Sequence, residues 1–334
     1  MTIYDISQKA GVSIATVSRV LNNSAKVSSK TKKKVLDVIN ECGYAPNIFA
    51  RGLGLGSMNS IGILCADSSD IYLAKAVYYI EHALKEAGYN SILACTGYDL
   101  ENKKKSLDMI LNQRVQCVIL VGSSFVESND EDNDYIRKAA DLIPVMLLNA
   151  DFDYPGVYCT LCDDFKSTME ITTWLLDNGR KNILYLYNSK SFSGIRKLSG
   201  FRSAILLREL PFRKEYEQYF AGLHDDIDGV AYFLSLLKNE GIKFDAVVCA
   251  DDMLGVGAVK YAKSNHLQIP KDISITGYNN SILTYACDPE LTSINNHLEK
   301  LCTQLVKTCI TVLSGGEAVT KVYFSGDIVF RGTT

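Results

Sequence analysis

Residues 2–22, TIYDISQKAGVSIATVSRVLN, read as two short helices joined by a glycine-containing turn, the layout of a DNA-reading helix-turn-helix. Thr2 can cap the first helix, whose inward face is Ile3, Ile6 and Ala10. Gly11-Val12-Ser13 turns the chain, and the Ser13 hydroxyl can accept an orphan amide bond at the start of the second helix. In that helix Val17, Val20 and Leu21 recur at helical spacing and should pack on the first. The outer face carries Ala15, Thr16, Ser18, Arg19 and Asn22, with Ile14 at its leading end. Short contact groups beside one guanidinium suit phosphate oxygens and a guanine edge, where an ordinary surface helix more often shows Glu and Lys. A third helix from Ser28 turns Val35, Val38, Ile39 and Cys42 inward. Gly43 stands where a helix end favours a left-handed residue, and Pro46 bars a return to helix.

Charge is distributed unevenly around this segment. Through Met58 eight Lys and Arg face only Asp5, Asp37 and Glu41, about +5, against a net charge of −3 for the whole chain, which leaves the rest at about −8. A basic head on an acidic body suits phosphate contact by the head alone. The run Lys32-Lys33-Lys34 reads either as a solvated helix face or, beside a helix-turn-helix, as a backbone-contact element.

The match AGVSIATVSRVLNN at residues 10–23, followed by VSSKTKKKVLDVINECGYAPN at 27–47, resembles the N-terminus of the LacI/GalR family of bacterial transcriptional regulators. Later stretches extend the resemblance over the whole chain: Asp177 to Ile183, Pro289 to Ile294, and Val329 to Thr334. It implies DNA contacts from Thr2, Ser13, Ile14, Ala15, Thr16, Ser18, Arg19, Asn22 and Lys26. Asn47-Ile48-Phe49-Ala50-Arg51-Gly52-Leu53 is similar to the family's linker hinge, a short helix in the minor groove; Asn47, Ala50, Arg51 and Leu53 then belong to the contact set. Leu53 falls where the family wedges a leucine into the central base step. Gly54-Leu55-Gly56 departs from the basic residue that relatives often place there, and glycine lowers helix propensity by about 1 kcal/mol per site relative to alanine. The expectation is a linker that orders only on DNA. A plain flexible tether is the alternative.

From Ser60 the pattern alternates between strand and helix. Strands are predicted at Ile61–Cys65, Ser91–Cys95, Val118–Val121, Val145–Leu148, Ile183–Tyr187, Ala246–Cys249 and Ile273–Thr276, with helical sequence between them, including 73–87 and 103–112. This predicts parallel sheets in an α/β architecture, doubly wound in two lobes, with ligand at the carboxyl ends of the strands. The resemblance specifies a periplasmic-binding-protein-like clamp, hinged where the chain crosses between lobes. The expected domains are a headpiece at 1–46, a linker at 47–59 and a core at 60–334. The core divides into an N-lobe of about 60–160 plus 291–321 and a C-lobe of about 161–290 plus 322–334.

Within that core the resemblance sketches an effector cleft. Asp67 and Tyr72 follow the first strand, Tyr72 where relatives carry an aromatic lip. Ser123 follows the third strand and Asn149 the fourth. Arg196 and Lys197 precede Leu198-Ser199-Gly200-Phe201, where the family supplies a basic effector contact, and Lys197 aligns best. His224 stands where some relatives stack an aromatic ring, Asp251 in the family's Asn-Asp pair, and Asn279 in place of a frequent aspartate. Sugar sites favour carboxylates, which accept bonds from two neighbouring hydroxyls; asparagines there, with Arg196, Lys197 and His224 nearby, suggest tolerance of an anionic sugar or another polar metabolite.

No enzyme constellation competes. His82, His224, His266 and His297 have no metal-binding spacing, and Walker, G-x-S-x-G and H-E-x-x-H motifs are absent. Gly52-x-Gly54-x-Gly56 precedes a strand instead of following one, which excludes a dinucleotide loop. Cys159 and Cys162 form a C-x-x-C without the partners of a zinc site, so neither metal nor cofactor is expected. Ten scattered cysteines, no apolar run of membrane-spanning length and no charged-then-apolar leader after Met1 fit a reduced, cytoplasmic protein.

The combined expectation is a homodimeric regulator, more readily a repressor, that binds a pseudo-palindromic operator. A sugar or sugar derivative between the lobes would alter the spacing of the two linkers and so operator affinity, a coupling of typically ~1–3 kcal/mol. No leucine heptad follows Phe330, so the tetramer tail of some relatives is not expected. Two rivals stand beside this: the same DNA head controlled by a protein corepressor, and a solute-binding receptor with no DNA role.

Overall fold

A computed structural model describes residues 2–21, 26–43, 59–211, 213–223 and 225–334. The chain divides into two units, one up to Met58 and one from Asn59. In the first, helices α1 (Ile3–Ala10), α2 (Ile14–Leu21) and α3 (Ser29–Glu41) surround a core of Ile6, Ala10, Val17, Val20, Val35 and Ile39. Ile3, Val12, Leu21, Val27, Val38 and Cys42 seal its edges. Local chemistry marks each boundary. The Thr2 hydroxyl accepts from the Asp5 amide while the Asp5 carboxylate accepts from the Thr2 amide at 2.7 Å, a reciprocal capping box. Gly11 closes α1 at φ +58°, the left-handed region open to glycine at little cost. Ser13 and Ser28 accept from the Thr16 and Thr31 amides, each at 3.2 Å.

The second unit begins with β1 (Ser60–Cys65), α4 (Ile71–Glu86), β2 (Asn90–Cys95), α5 (Leu100–Asn112) and β3 (Cys117–Val121). It continues through α6 (Asp134–Ala140), β4 (Val145–Leu148), β5 (Val157–Cys162), α7 (Asp164–Asp177), β6 (Ile183–Tyr187) and α8 (Phe192–Leu207). Next come β7 (Glu217–Tyr219), α9 (Ile227–Asn239), β8 (Ala246–Cys249), α10 (Asp252–Ser264), β9 (Ser274–Tyr278) and α11 (Leu283–Ala286). Last are β10 (Thr292–Asn295), α12 (Leu298–Leu313), β11 (Lys321–Phe324) and β12 (Asp327–Val329).

These strands form two six-stranded sheets, ordered β11-β5-β4-β3-β1-β2 and β12-β10-β9-β8-β6-β7. Every described pairing is parallel except β10 with β12. The two-lobed, doubly wound core is therefore as the strand–helix alternation implied. Strands such as Ile61–Cys65 and Cys117–Val121 are apolar throughout because helices cover both faces of a parallel sheet.

The lobe boundaries differ from the sequence expectation. Thr292–Asn295, assigned above to the N-lobe, pairs with β9 in the second sheet, and Lys321–Phe324 pairs with β5 in the first. The N-lobe thus runs through Cys162 and resumes with α12, whose Leu301, Cys302, Leu305, Val306 and Cys309 pack on the first sheet. A four-residue strand carries no local signal for which sheet it joins. Only its pairing partner settles that.

The chain passes between lobes after β5, after β10 and after β11. Two of these crossings lie side by side: the Asp163 amide donates to the Phe324 carbonyl at 2.8 Å. Cys159 and Cys162 face opposite sides of the first sheet, each in a different core cluster, so they cannot jointly hold a metal.

Candidate functional site

Two surfaces collect the sequence-derived candidates. On the headpiece, Val17 and Val20 face the core, which leaves Ser13, Ile14, Ala15 and Arg19 exposed and Thr16 and Ser18 half-buried on the opposite side of α2. Helical period explains the pattern: residues 15 and 19, four apart, lie away from 17 and 20, while 16 and 18 sit on the flanks between the two faces. Two members also serve the fold. The Thr2 hydroxyl belongs to the capping box, and the Ser13 hydroxyl shares a 2.9 Å hydrogen bond with that of Thr16. Lys26 is exposed. Asn22, Asn47, Ala50, Arg51 and Leu53 lie outside the described residues.

In the core, the carboxyl ends of the two sheets face each other across a cleft of about 680 Å³. Asp67, Tyr72, Ser123, Asn149, Lys197, Asp251 and Asn279 all line it. Asn149 follows β4 at φ +58° and Asn279 follows β9 at φ +96°, a region asparagine enters more readily than most residues. The Asn149 amide nitrogen donates to the Tyr72 hydroxyl, and its oxygen accepts from the Cys162 amide at 3.2 Å. Asp251 caps α10, accepting from the Leu254 amide at 2.8 Å and from the Asn188 side chain at 2.9 Å. Ser123, from the N-lobe, donates to Ser191, from the C-lobe, at 2.9 Å.

Arg196 is a correction. It is exposed, does not line the cleft, and lies with its guanidinium 5.1 Å from the Phe165 ring centroid. One residue along a helix is a turn of about 100°, so only one of Arg196 and Lys197 can face inward. Lys197 is that one. Its ammonium donates to the Ala250 carbonyl at 3.0 Å and lies 3.7 Å from the Tyr278 ring centroid. His224 lies outside the described residues.

The structure adds residues that sequence reading missed. Asp164, at the start of α7, is buried and accepts from the Tyr278 hydroxyl and from Ser193, both at 2.5 Å. Close approach of two helices makes this pairing: a Cβ on Gly200 of α8 would lie 2.2 Å from the Phe165 carbonyl oxygen. Asp252 accepts from Ser293 at 2.5 Å and from the Ser281 amide at 2.6 Å, and burial pushes its carboxyl up to about 6 despite those bonds. Asn296 is almost fully buried; its nitrogen donates to Asn279 at 3.0 Å, whereas its own side-chain oxygen has no protein partner. Buried polar groups in this condition call for a ligand or water. The rule that ligands sit at strand ends could have nominated Asn188, which directly follows the strand predicted at Ile183–Tyr187, whereas Tyr278 and Asn296 lie at strand ends that only the structure places.

The charge of the lining is acidic. Asp67, Asp70, Asp164, Asp225, Asp251 and Asp252 face Lys190 and Lys197 among the described residues. With Arg196 outside the cleft and Lys197 already donating to a carbonyl beneath a ring, two of the cations that pointed to an anionic ligand are withdrawn from that role, while Lys190 remains on the lining. Among the described residues no group of His, Cys, Asp and Glu is arranged to hold a metal, and no helix is long and apolar enough to cross a membrane.

Comparisons with known proteins converge on one family. A model of the periplasmic binding proteins and sugar binding domain of the LacI family matches residues 58–324, and a model of bacterial regulatory proteins of the lacI family matches residues 2–47. An HTH-type transcriptional regulator of Lachnoclostridium phytofermentans is 51% identical over 100% of this chain and 99% of its own. The HTH-type transcriptional regulator RegA of Clostridium saccharobutylicum is 32% identical over 95% of this chain and 93% of its own. Among solved structures, the lac repressor dimer bound to operator and the anti-inducer ONPF superposes with a TM-score of 0.88 at 24% identity, covering 100% of this chain and 98% of that one.

Proposed function

This chain belongs to the LacI family of bacterial regulatory proteins and is a DNA-binding transcriptional regulator; from that premise we propose that it is a homodimeric repressor controlled by an uncharged polyhydroxylated metabolite held between its lobes. Ile14, Ala15 and Arg19 read base edges in each half-site of a pseudo-palindrome, while Ser13, Thr16, Ser18 and Lys26 hold phosphates. Asn22, Asn47, Ala50, Arg51 and Leu53 complete the contact set, with Leu53 at the central step.

The observation that carries the effector reading is the donor and acceptor balance of the cleft. Six carboxylates repel an anion, yet a carboxylate is chemically able to accept from hydroxyls, and the unpartnered Asn296 oxygen asks for one more donor. Hydroxyl-rich neutral molecules satisfy both without bringing charge into a buried site. Ligand binding then acts on DNA through the relative placement of the lobes.

Selection of bound sequences from a random DNA pool by the full-length protein tests the DNA half. Enrichment of a pseudo-palindrome is expected; salt-sensitive binding without enrichment would remove the specificity assigned to α2. Titrating neutral sugars and their phosphates against the selected operator complex tests the other half. Release by phosphates alone would overturn the neutral-ligand reading. A cleft inert to all of them, with affinity changed by a protein partner, would establish the corepressor alternative.

A further inference from the structure

The cleft is longer than one sugar ring, and its two ends are built of different chemistry. In both sheets the crossings between lobes attach at one side, at β5 and β11 in the first and β10 and β12 in the second. The strands furthest from them are β2 and β7, at the opposite edges. From β5 to β2, or β10 to β7, is four ladder spacings of about 4.8 Å, roughly 19 Å. Every strand on that path supplies a lining residue at its carboxyl end: Asp164, Asn149, Ser123, Asp67 and Tyr98 after β5, β4, β3, β1 and β2, with a matching series from Asn296 to Tyr219 opposite. A volume of about 680 Å³ lies well inside the roughly 300–1,000 Å³ of sites that hold drug-sized ligands.

At the crossing end the walls are buried and hydrogen-bonding: Asp164, Asn296 and Lys197 are each less than 10% exposed. At the far end they are open, and two tyrosines stand among the polar groups Asp67, Asp70 and Lys190. Tyr98 is 54% exposed on the N-lobe side, and Tyr219 is 40% exposed on the C-lobe side. Lys190, itself exposed, lies 4.9 Å from the Tyr219 ring centroid and can move aside or donate to a hydroxyl. Polar groups fix one ring by its hydroxyls, whereas tyrosine faces accept the C–H face of another ring with little regard to its hydroxyl pattern.

Building on the sugar reading above, we propose that the ligand is an oligosaccharide of at least two rings, with its first ring among Asn149, Asp164 and Asn296 and its second ring on an outer subsite formed by Tyr98 and Tyr219. Identity of the first ring is then set by hydrogen bonds, and chain length by the tyrosines.

Calorimetric titration of the full-length protein with matched pairs tests this: glucose and cellobiose, glucose and maltose, xylose and xylobiose, galactose and lactose, mannose and mannobiose. One disaccharide is expected to bind at least tenfold more tightly than its monosaccharide. In Tyr98→Ala and Tyr219→Ala that ratio should fall towards one, and in Tyr98→Phe it should persist; thermal melting verifies folding of each variant. Equal affinity for both members of the best-binding pair, or a ratio unmoved by either alanine variant, overturns the outer subsite and leaves the sugar reading intact. If no member of any pair binds, the sugar reading falls first and this inference with it.

Discussion

The headpiece and the cleft are built in opposite ways. In the headpiece the candidate base contacts Ile14, Ala15 and Arg19 are exposed, and the core, from Ile6 to Ile39, is wholly apolar. In the cleft part of the lining is itself buried: Asn149 and Asn296 lie inside the fold, as do the ionisable groups Asp164, Lys197 and Asp252. The headpiece can therefore change what it reads without changing how it folds. The cleft cannot, because its hydrogen bonds are at once the binding surface and part of the packing.

The sharpest way to break this comparison is to attack the headpiece core. Val17→Asp places a carboxylate in a fully buried position and should cost about 4 kcal/mol, enough to unfold a three-helix unit. Operator binding in a mobility-shift assay should vanish while the core's melting transition stays in place. Loss of both would show that the two regions are not separate.

A second test exploits the charged floor of the cleft. Burial holds the Asp252 carboxyl at about 6, above its unfolded value, so folding favours the protonated form. Its contribution is complete below about pH 4 and is lost as pH rises through about 6, a change of up to about 3 kcal/mol. Asp252→Asn should remove that dependence, seen as melting curves of variant and wild type that diverge between pH 4 and 6. Parallel curves would contradict the assignment. No equivalent slope is expected from the apolar headpiece core.

Smaller effects sharpen the contrast. Arg19→Ala should cost about 2 kcal/mol in operator affinity and relax selection at one base position, with the headpiece still folded by circular dichroism. A uniform loss across sequences would demote Arg19 to a phosphate contact. Ser123→Ala removes the hydrogen bond to Ser191 across the cleft, worth about 1 kcal/mol. Ligand affinity should shift several-fold by calorimetry, and operator affinity without ligand should shift if the two serines bias the lobes. An unchanged value of both would leave that bond without a part in control.

The same contrast explains what the sequence makes legible. Headpiece caps and core positions are local: Thr2 with Asp5, Ser13 with Thr16, and the three- and four-residue spacing of Val17, Val20 and Leu21. Cleft residues come from strand ends far apart in the chain, so spacing alone cannot assemble them. Asp67, Tyr72, Ser123, Asn149, Lys197, Asp251 and Asn279 were within reach through the family resemblance, and all reach the cleft. Arg196 fails because adjacent helical residues point in different directions, and Asp164 was hidden because its partners Ser193 and Tyr278 are distant in sequence. The lobe boundaries failed for a similar reason: β10 and β11 are short, and their sheet is decided by partners elsewhere.

With all three crossings on one side of both sheets, the core has the mechanics of a lever. Rotation of one lobe about that side leaves Asp164 nearly still and carries the Tyr98 and Tyr219 edge furthest. At a radius of roughly 19 Å, set by the strand spacing, a turn of about 10° moves that edge by about 3 Å. A contact made there exerts far more torque on the lobes than one of equal strength beside the pivot. For the two-ring ligand proposed above, the outer ring would hold the greater leverage over the lobes, and the inner ring would sit where they move least.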